Sequence, residues 1–369
     1  MENFVVSARK YRPKGFDEVV GQKHITTTLK NAIDNNHLAQ ALLFCGPRGV
    51  GKTTCARILA RLINGFDVDN MEGSSSMNIY ELDAASNNSV DDVRNLIDQV
   101  RVPPQHGKYK VYIIDEVHML SNQAFNAFLK TLEEPPSYAI FILATTEKHK
   151  VIPTILSRCQ IYDFNRIQVS DISGHLLDIA NREKIEAEDA ALHLIAQKAD
   201  GALRDALSIF DLIVTFSPDN KITYQATIDN LHILDYDYYF KVTEALVEEK
   251  IPQALLLFDE VLKKGFDGHN FIVGLASHFR DLLVCKDQST LILLEVSEQV
   301  KQQYKEQAAK VSTSFLLSGL HVINQCDQNY KTSKNPRLHV ELALMKLAKI
   351  NSAVDLARSN AEALKKKVS

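Results

Sequence analysis

Eight residues, Gly46-Pro47-Arg48-Gly49-Val50-Gly51-Lys52-Thr53, limit the folds open to this chain more than any other stretch. They follow an apolar run at 41–44 and open a segment in which Cys55, Ile58 and Leu59 recur at helical spacing. A G-x-x-x-x-G-K-[ST] turn between a strand and a helix commits the region to a layered α/β unit built on a parallel sheet. The glycines let backbone N–H groups wrap phosphate oxygens, and the helix N-terminus, which includes Thr54, adds positive potential. Lys52 reaches the β- and γ-phosphates, and the Thr53 hydroxyl can hold Mg²⁺. A plain glycine-rich connection is the competing reading, and the agreement of strand, motif and helix disfavours it.

Further strands are expected at 79–82, 111–114, 140–144 and 160–164, with helices between them, the succession of a parallel sheet. Ser121 can cap a helix that aligns Phe125, Phe128, Leu129 and Leu132, and Pro135-Pro136 stops it. Val111-Tyr112-Ile113-Ile114 runs into Asp115-Glu116, placing two carboxylates beyond the end of a strand, where parallel sheets bind ligands. Asp115 suits Mg²⁺, directly or through water, and Glu116 suits the base that orients an attacking water. Two acids after a strand are often only a solvated turn; the phosphate loop on the same chain favours chemistry. His118 is given no role, since a lone histidine is more often structural.

Beyond residue 170 the strand signal fades. Ile172, Leu176 and Ile179 form one helical stripe, and Leu203, Leu207 and Phe210 another, before the turn cluster Ser217-Pro218-Asp219-Asn220. Ala254, Leu257, Phe258, Val261 and Leu262 then follow helical spacing, closed by Gly265. Phe271, Leu275, Phe279 and Leu282 repeat the pattern, and residues 338–350 are apolar enough to suggest a buried helix. The expected division is an ATPase domain at 1–165, a helical lid at 166–228, an all-α domain at 229–350, and a tail or linker at 351–369. A chain of 369 residues with 45% hydrophobic content can bury such cores.

The formal net charge of -4 argues against a surface coated for non-specific DNA binding, so any nucleic-acid contact has to be a local patch. Cys45, Cys55, Cys159, Cys285 and Cys326 form no C-x-x-C pair, which supports neither a disulfide framework nor a zinc knuckle. No apolar run approaches a membrane span and no signal core follows Met1, so a soluble cytoplasmic protein is expected. Arg158, in Ser157-Arg158-Cys159, and Arg204, in Gly201-Ala202-Leu203-Arg204-Asp205-Ala206, are candidates for meeting a γ-phosphate; for an isolated arginine, a surface ion pair is the bland alternative.

These residues resemble the AAA+ clamp-loader ATPases of bacterial replication, and most closely the gamma/tau branch, along nearly the whole chain. The resemblance rests on Ala8-Arg9-Lys10-Tyr11-Arg12-Pro13, Val19-Val20-Gly21-Gln22, the phosphate loop, Glu81-Leu82-Asp83-Ala84-Ala85-Ser86 and Ile114-Asp115-Glu116-Val117-His118-Met119-Leu120. It continues in Leu129-Lys130-Thr131-Leu132-Glu133-Glu134-Pro135-Pro136, Leu143-Ala144-Thr145-Thr146, Ile155-Leu156-Ser157-Arg158-Cys159 and Leu203-Arg204-Asp205-Ala206-Leu207. It implies ATP and Mg²⁺ as ligands, an adenine pocket lined by Tyr11, Arg12, Pro13, Val19 and Val20, Thr146 as first sensor of the γ-phosphate and Arg204 as second. It also implies that Arg158 reaches a neighbouring subunit's nucleotide and that the third segment is a collar joining subunits into a ring. The implied partners are delta and delta-prime type subunits, further gamma/tau copies, the sliding clamp and primer-template DNA; no membrane is involved.

Asn87-Asn88-Ser89-Val90-Asp91-Asp92 could offer free amides to DNA phosphate or form an ordinary helix cap; the two acids favour the cap. The family's four-cysteine zinc element would fall at 65–77, which contains no cysteine, so zinc is not expected. The chain also ends just past the collar, as a shorter gamma-like form or a fragment would, without the extension through which tau binds helicase and polymerase. A non-hydrolysing structural subunit and a different AAA+ DNA motor are the alternatives, and no polymerase site is legible.

Overall fold

The computed structural model describes residues 5–66, 78–105, 107–217, 220–231, 234–294, 296 and 298–353. Residues 65–66 of the interval considered for zinc are included; its remainder, 67–77, and the tail beyond 353 lie outside the described residues. The chain divides into two compact units, Met1–Thr223 and Tyr224–Ser369.

The first unit is an α/β domain followed by a helical lid segment. Five strands, β1 (Ala41–Cys45), β2 (Ile79–Asp83), β3 (Lys110–Asp115), β4 (Ala139–Thr145) and β5 (Gln160–Asp163), form one sheet in the order β2-β3-β4-β1-β5. Every pairing is parallel. The central strands are covered on both faces, which explains their unbroken apolar runs. Leu42, Phe44, Val111, Ile113, Ile140 and Ile142 share one core with the helix Lys52–Asn64. Leu43, Tyr112, Ile114, Phe141 and Leu143 share the other with Val93, Leu96, Phe125 and Phe128. The period-2 alternation of a strand assigns these faces.

The helix Asn122–Glu133 starts as expected, with the Ala124 amide donating to Ser121 Oγ at 3.2 Å. At Val90–Val100 the capping reading holds: the Asp92 amide donates to Ser89 Oγ, and the Ser89 amide donates to the Asp92 carboxylate, both at 3.2 Å.

The lid contains the helices Val169–Glu183, Asp189–Lys198 and Leu203–Phe216. A two-residue parallel pair, Glu186–Ala187 with Lys221–Ile222, departs from the all-helical expectation; it is too short to leave an alternating pattern. The N-terminal segment is tied to this lid. The Ser7 amide donates to Asp211 at 2.7 Å, and Lys10 and Tyr11 both donate to Glu183.

In the second unit the helices Tyr236–Val247, Ile251–Lys263, Gly268–Val284, Glu298–Lys310, Thr313–Tyr330 and Pro336–Ala348 enclose one core containing Phe258, Phe271, Phe279, Phe315 and Leu344. Gly319 is required by a close approach, since a Cβ there would lie 2.4 Å from the Phe279 ring. The last of these helices is not buried on all sides as its composition suggests: Leu338 and Leu342 remain 46% and 45% exposed, while Val340, Leu344 and Leu347 pack inward. Among the described residues no helix is long and apolar enough to cross a membrane.

Candidate phosphate-binding site

Parallel register brings the carboxyl ends of β1, β3 and β4 to one edge of the sheet, with Cys45 opposite Thr145 and Ile114 opposite Leu143. The phosphate loop leaves β1 at that edge through Gly46, whose φ of +144° and whose neighbour explain the residue choice: a Cβ would lie 2.3 Å from the Phe164 carbonyl oxygen. Lys52 folds back beneath the loop, only 6% exposed, and donates to the Gly46 and Pro47 carbonyls at 2.8 and 2.7 Å. An ammonium has three N–H bonds, so these contacts leave one for an anion. Burial pulls the Lys52 pKa down, opposed by the charges of Glu116 and Asp115.

The Thr53 hydroxyl donates to Asp115 Oδ2 at 2.6 Å, and Asp115 Oδ1 accepts from the Glu116 amide at 2.9 Å. One hydroxyl and one carboxylate fit Mg²⁺, a hard cation that keeps several waters and takes further oxygens from substrate phosphates. Among the described residues no cluster of three or more His, Cys, Asp or Glu side chains forms a protein-only metal cage.

Glu116 stands at φ +48°, a left-handed conformation uncommon outside glycine. Its Oε2 accepts from the Thr146 amide at 3.2 Å and the Thr146 hydroxyl at 2.9 Å, so the expected base and the expected first sensor are joined. His118, left without a role at the sequence level, belongs here as well. Its Nδ1 lies 3.0 Å from Thr145 Oγ1 and 3.4 Å from Glu116 Oε2. Only the packing of β3 beside β4 makes that contact, and a single histidine carries no local signal for it.

The lid closes over the loop at Gly49. A Cβ on Gly49 would lie 3.0 Å from the Ala202 Cβ, and the Arg204 amide points at the Gly49 carbonyl from 3.4 Å. Arg48 and Asp205 stand 3.7 Å apart as an exposed pair. Thr54 lies half-buried in the first turn of the helix Lys52–Asn64. Val19 is buried in the same core as Phe16 and Val50, beside the loop, while Pro13 and Val20 are half-buried. Burial, Arg57 and Arg204 together push the Arg12 guanidinium down, which places three cationic side chains within electrostatic reach of one another. Arg57 is neutralised by Glu81, at 2.6 and 2.5 Å.

Arg158 stands apart from this group. It donates to the Thr154 carbonyl at 2.6 Å, to Ser157 Oγ at 3.3 Å and to Glu133, none of them part of the phosphate loop. The five cysteines are free thiols, and burial pushes Cys55 and Cys159 each up to about 12, far from a reactive thiolate.

Three families match successive parts of the chain: "DNA polymerase III, delta subunit" over residues 21–168, "DNA polymerase III clamp loader subunit, ATPase lid domain" over 171–218, and "DNA polymerase III subunits gamma and tau domain III" over 224–361. Among similar proteins, DNA polymerase III subunit tau of Bacillus subtilis is 39% identical over 362 residues, covering 94% of this chain and 64% of that protein. The Escherichia coli subunit tau is 42% identical over 283 residues, 73% of this chain and 44% of that protein. The Mycobacterium tuberculosis H37Rv subunit gamma/tau is 34% identical over 358 residues, 92% of this chain and 62% of that protein. This chain thus spans less than two thirds of the length of these relatives. A solved Thermotoga maritima RuvB structure aligns with 64% of this chain and 80% of its own at 22% identity and a TM-score of 0.48, too loose to bear on function.

Proposed function

Because this chain belongs to the gamma/tau family of bacterial DNA polymerase III clamp-loader subunits, we propose that it binds ATP with Mg²⁺ at the carboxyl edge of its sheet and hydrolyses it there to load a sliding clamp on primed DNA. The observation that carries the reading is the convergence of Lys52, the Thr53–Asp115 pair and the Glu116–Thr146 pair on one edge.

Lys52, already buried, meets the β- and γ-phosphates without crossing from bulk water and neutralises charge that grows as the γ-phosphoryl departs. Thr53 and Asp115 would hold Mg²⁺, which would supply neutralisation of phosphate charge. Glu116 orients the attacking water and takes its proton, while Thr146 couples that carboxylate to the γ-phosphate. Arg204, at the lid's edge of the loop, reports closure. Tyr11, Arg12, Pro13, Val19 and Val20 supply the base pocket, and the tie from Ser7, Lys10 and Tyr11 to the lid makes the pocket move with it.

Arg158 is bonded to Thr154, Ser157 and Glu133 rather than to its own loop, which suits a finger offered to the nucleotide of a neighbouring copy. Such residues are worth ~10³- to 10⁵-fold in related phosphoryl transfers. The second unit serves as the collar, and the partners are delta and delta-prime type subunits, further copies of this chain, the clamp and primer-template DNA. ATP hydrolysis by the assembled complex should rise on adding clamp and primed DNA and vanish with Lys52→Ala; a rate indifferent to Lys52→Ala would defeat the proposal.

A further inference from the structure

We propose that His118 is a positioning residue for the general base, holding the Glu116 carboxylate through Nδ1 so that one oxygen is anchored and the other faces the attacking water. This rests on the reading of Glu116 as that base. The geometry begins with a tight turn: after β3 the backbone bends through a short 3-10 helix, Val117–Met119, closed by the Met119 amide donating to the Glu116 carbonyl at 2.8 Å. That turn folds His118 back beneath Glu116 and seals its ring, leaving the side chain 7% exposed.

The contact with Thr145 fits either tautomer, and the charge of the Glu116 carboxylate 3.4 Å away favours the one with a proton on Nδ1. Thr145 Oγ1 already accepts from the Glu147 amide at 3.0 Å and lies 3.0 Å from His118 Nδ1. Were Nδ1 bare, its lone pair would face Glu116 Oε2 from 3.4 Å, two electron-rich atoms with no proton between them. With the proton on Nδ1, the ring donates to the second lone pair of Thr145 and turns a positive edge to the carboxylate. Oε2 then accepts from the Thr146 amide and the Thr146 hydroxyl and has the positive edge of the His118 ring 3.4 Å away, while Oε1 is left for water. A left-handed Glu116 persists only where surroundings over-determine it, and His118 supplies part of that restraint. Because the histidine grips Thr145 and Thr146 grips Glu116, the ends of β3 and β4 are bridged twice.

Positioning of this kind changes turnover more than binding. An asparagine places its side-chain N–H where Nδ1 stands, whereas a glutamine mimics Nε2 and cannot reach Thr145 or Glu116 in the same way. Steady-state ATP hydrolysis by the assembled complex with clamp and primed DNA, together with binding of a fluorescent ATP analogue, separates these cases. His118→Ala should lower kcat ~10- to 100-fold with KM for ATP and analogue affinity within about twofold. His118→Asn should recover most of the loss and His118→Gln should not.

An unchanged kcat in His118→Ala, or asparagine no better than glutamine, would overturn the inference; so would a rise in KM that tracks a fall in melting temperature. Should the alanine variant fail to fold, the asparagine–glutamine comparison decides alone. A wild-type complex without hydrolysis, or one indifferent to Lys52→Ala, would instead remove the function on which the inference rests.

Discussion

Two buried titratable side chains, Lys52 at the sheet edge and His278 in the core of the second unit, have opposite surroundings. His278 is 1% exposed, and both of its ring nitrogens are occupied, Nδ1 by the Tyr304 hydroxyl and Nε2 by Gln307 Oε1, each at 3.0 Å. Gln307 passes the chain on by donating to the Phe240 carbonyl at 2.8 Å, and Tyr239, Phe240 and Tyr304 pack around the imidazole. Lys52 is nearly as deep, yet two carbonyls use two of its three donors. A buried polar group with every valence filled stabilises one packing arrangement; one with a valence left over is poised for a ligand. The same distinction separates Glu116, with one oxygen anchored, from the closed capping box of Ser89 and Asp92.

If that distinction holds, the two sites should fail in different currencies. The largest effect is expected from Lys52→Ala, which should lower ATP turnover by ~10³-fold or more while leaving the melting temperature of the chain nearly unchanged. Turnover assays and thermal unfolding on the same preparations check both halves. His278→Ala should do the reverse, destabilising the second unit by about 3 kcal/mol through the cavity and the orphaned Tyr304 and Gln307, with nucleotide affinity intact. Denaturant unfolding beside analogue binding tests this, and a variant that loses affinity instead would erase the contrast.

Burial lowers the pKa of His278 from 6.5 to about 4. The unfolded chain therefore binds more protons than the folded one between those values, so stability is full above pH 6.5 and declines as pH falls towards 4. The total is up to about 3 kcal/mol. Unfolding of the wild-type chain across that range should show the slope, and His278→Gln should flatten it. The smallest effect is a cap: Ser89→Ala should remove about 1 kcal/mol of stability without altering turnover, as measured by chemical denaturation.

Much of the first unit was legible because its strands are covered on both faces and its loop has a rigid chemical signature. The apolar runs at 41–44 and 140–144 and the glycines at 46, 49 and 51 locate the sheet edge before any tertiary contact is known. The position of Asp115 and Glu116 at the end of a strand was legible for the same reason, since they are the first polar residues after such a run. What escaped depends on contacts far apart in the chain. His118 meets Thr145, on the neighbouring strand, and the N-terminal tie joins Ser7 to Asp211. Exposure of Leu338 and Leu342 was hidden because composition alone cannot say which side of an apolar helix has neighbours.

If the loop with Lys52 works only beside Arg158 of a neighbouring copy, mixing two defective chains should restore hydrolysis. Lys52→Ala chains lack a working loop but keep the arginine; Arg158→Ala chains keep the loop but lack the arginine. Each alone, assembled with its partner subunits, clamp and primed DNA, should hydrolyse ATP poorly. Mixed complexes containing both should regain a substantial share of the wild-type rate, because an intact loop then meets an intact arginine across an interface. A mixture no faster than the sum of its two defective parents would mean that no arginine reaches the loop across an interface.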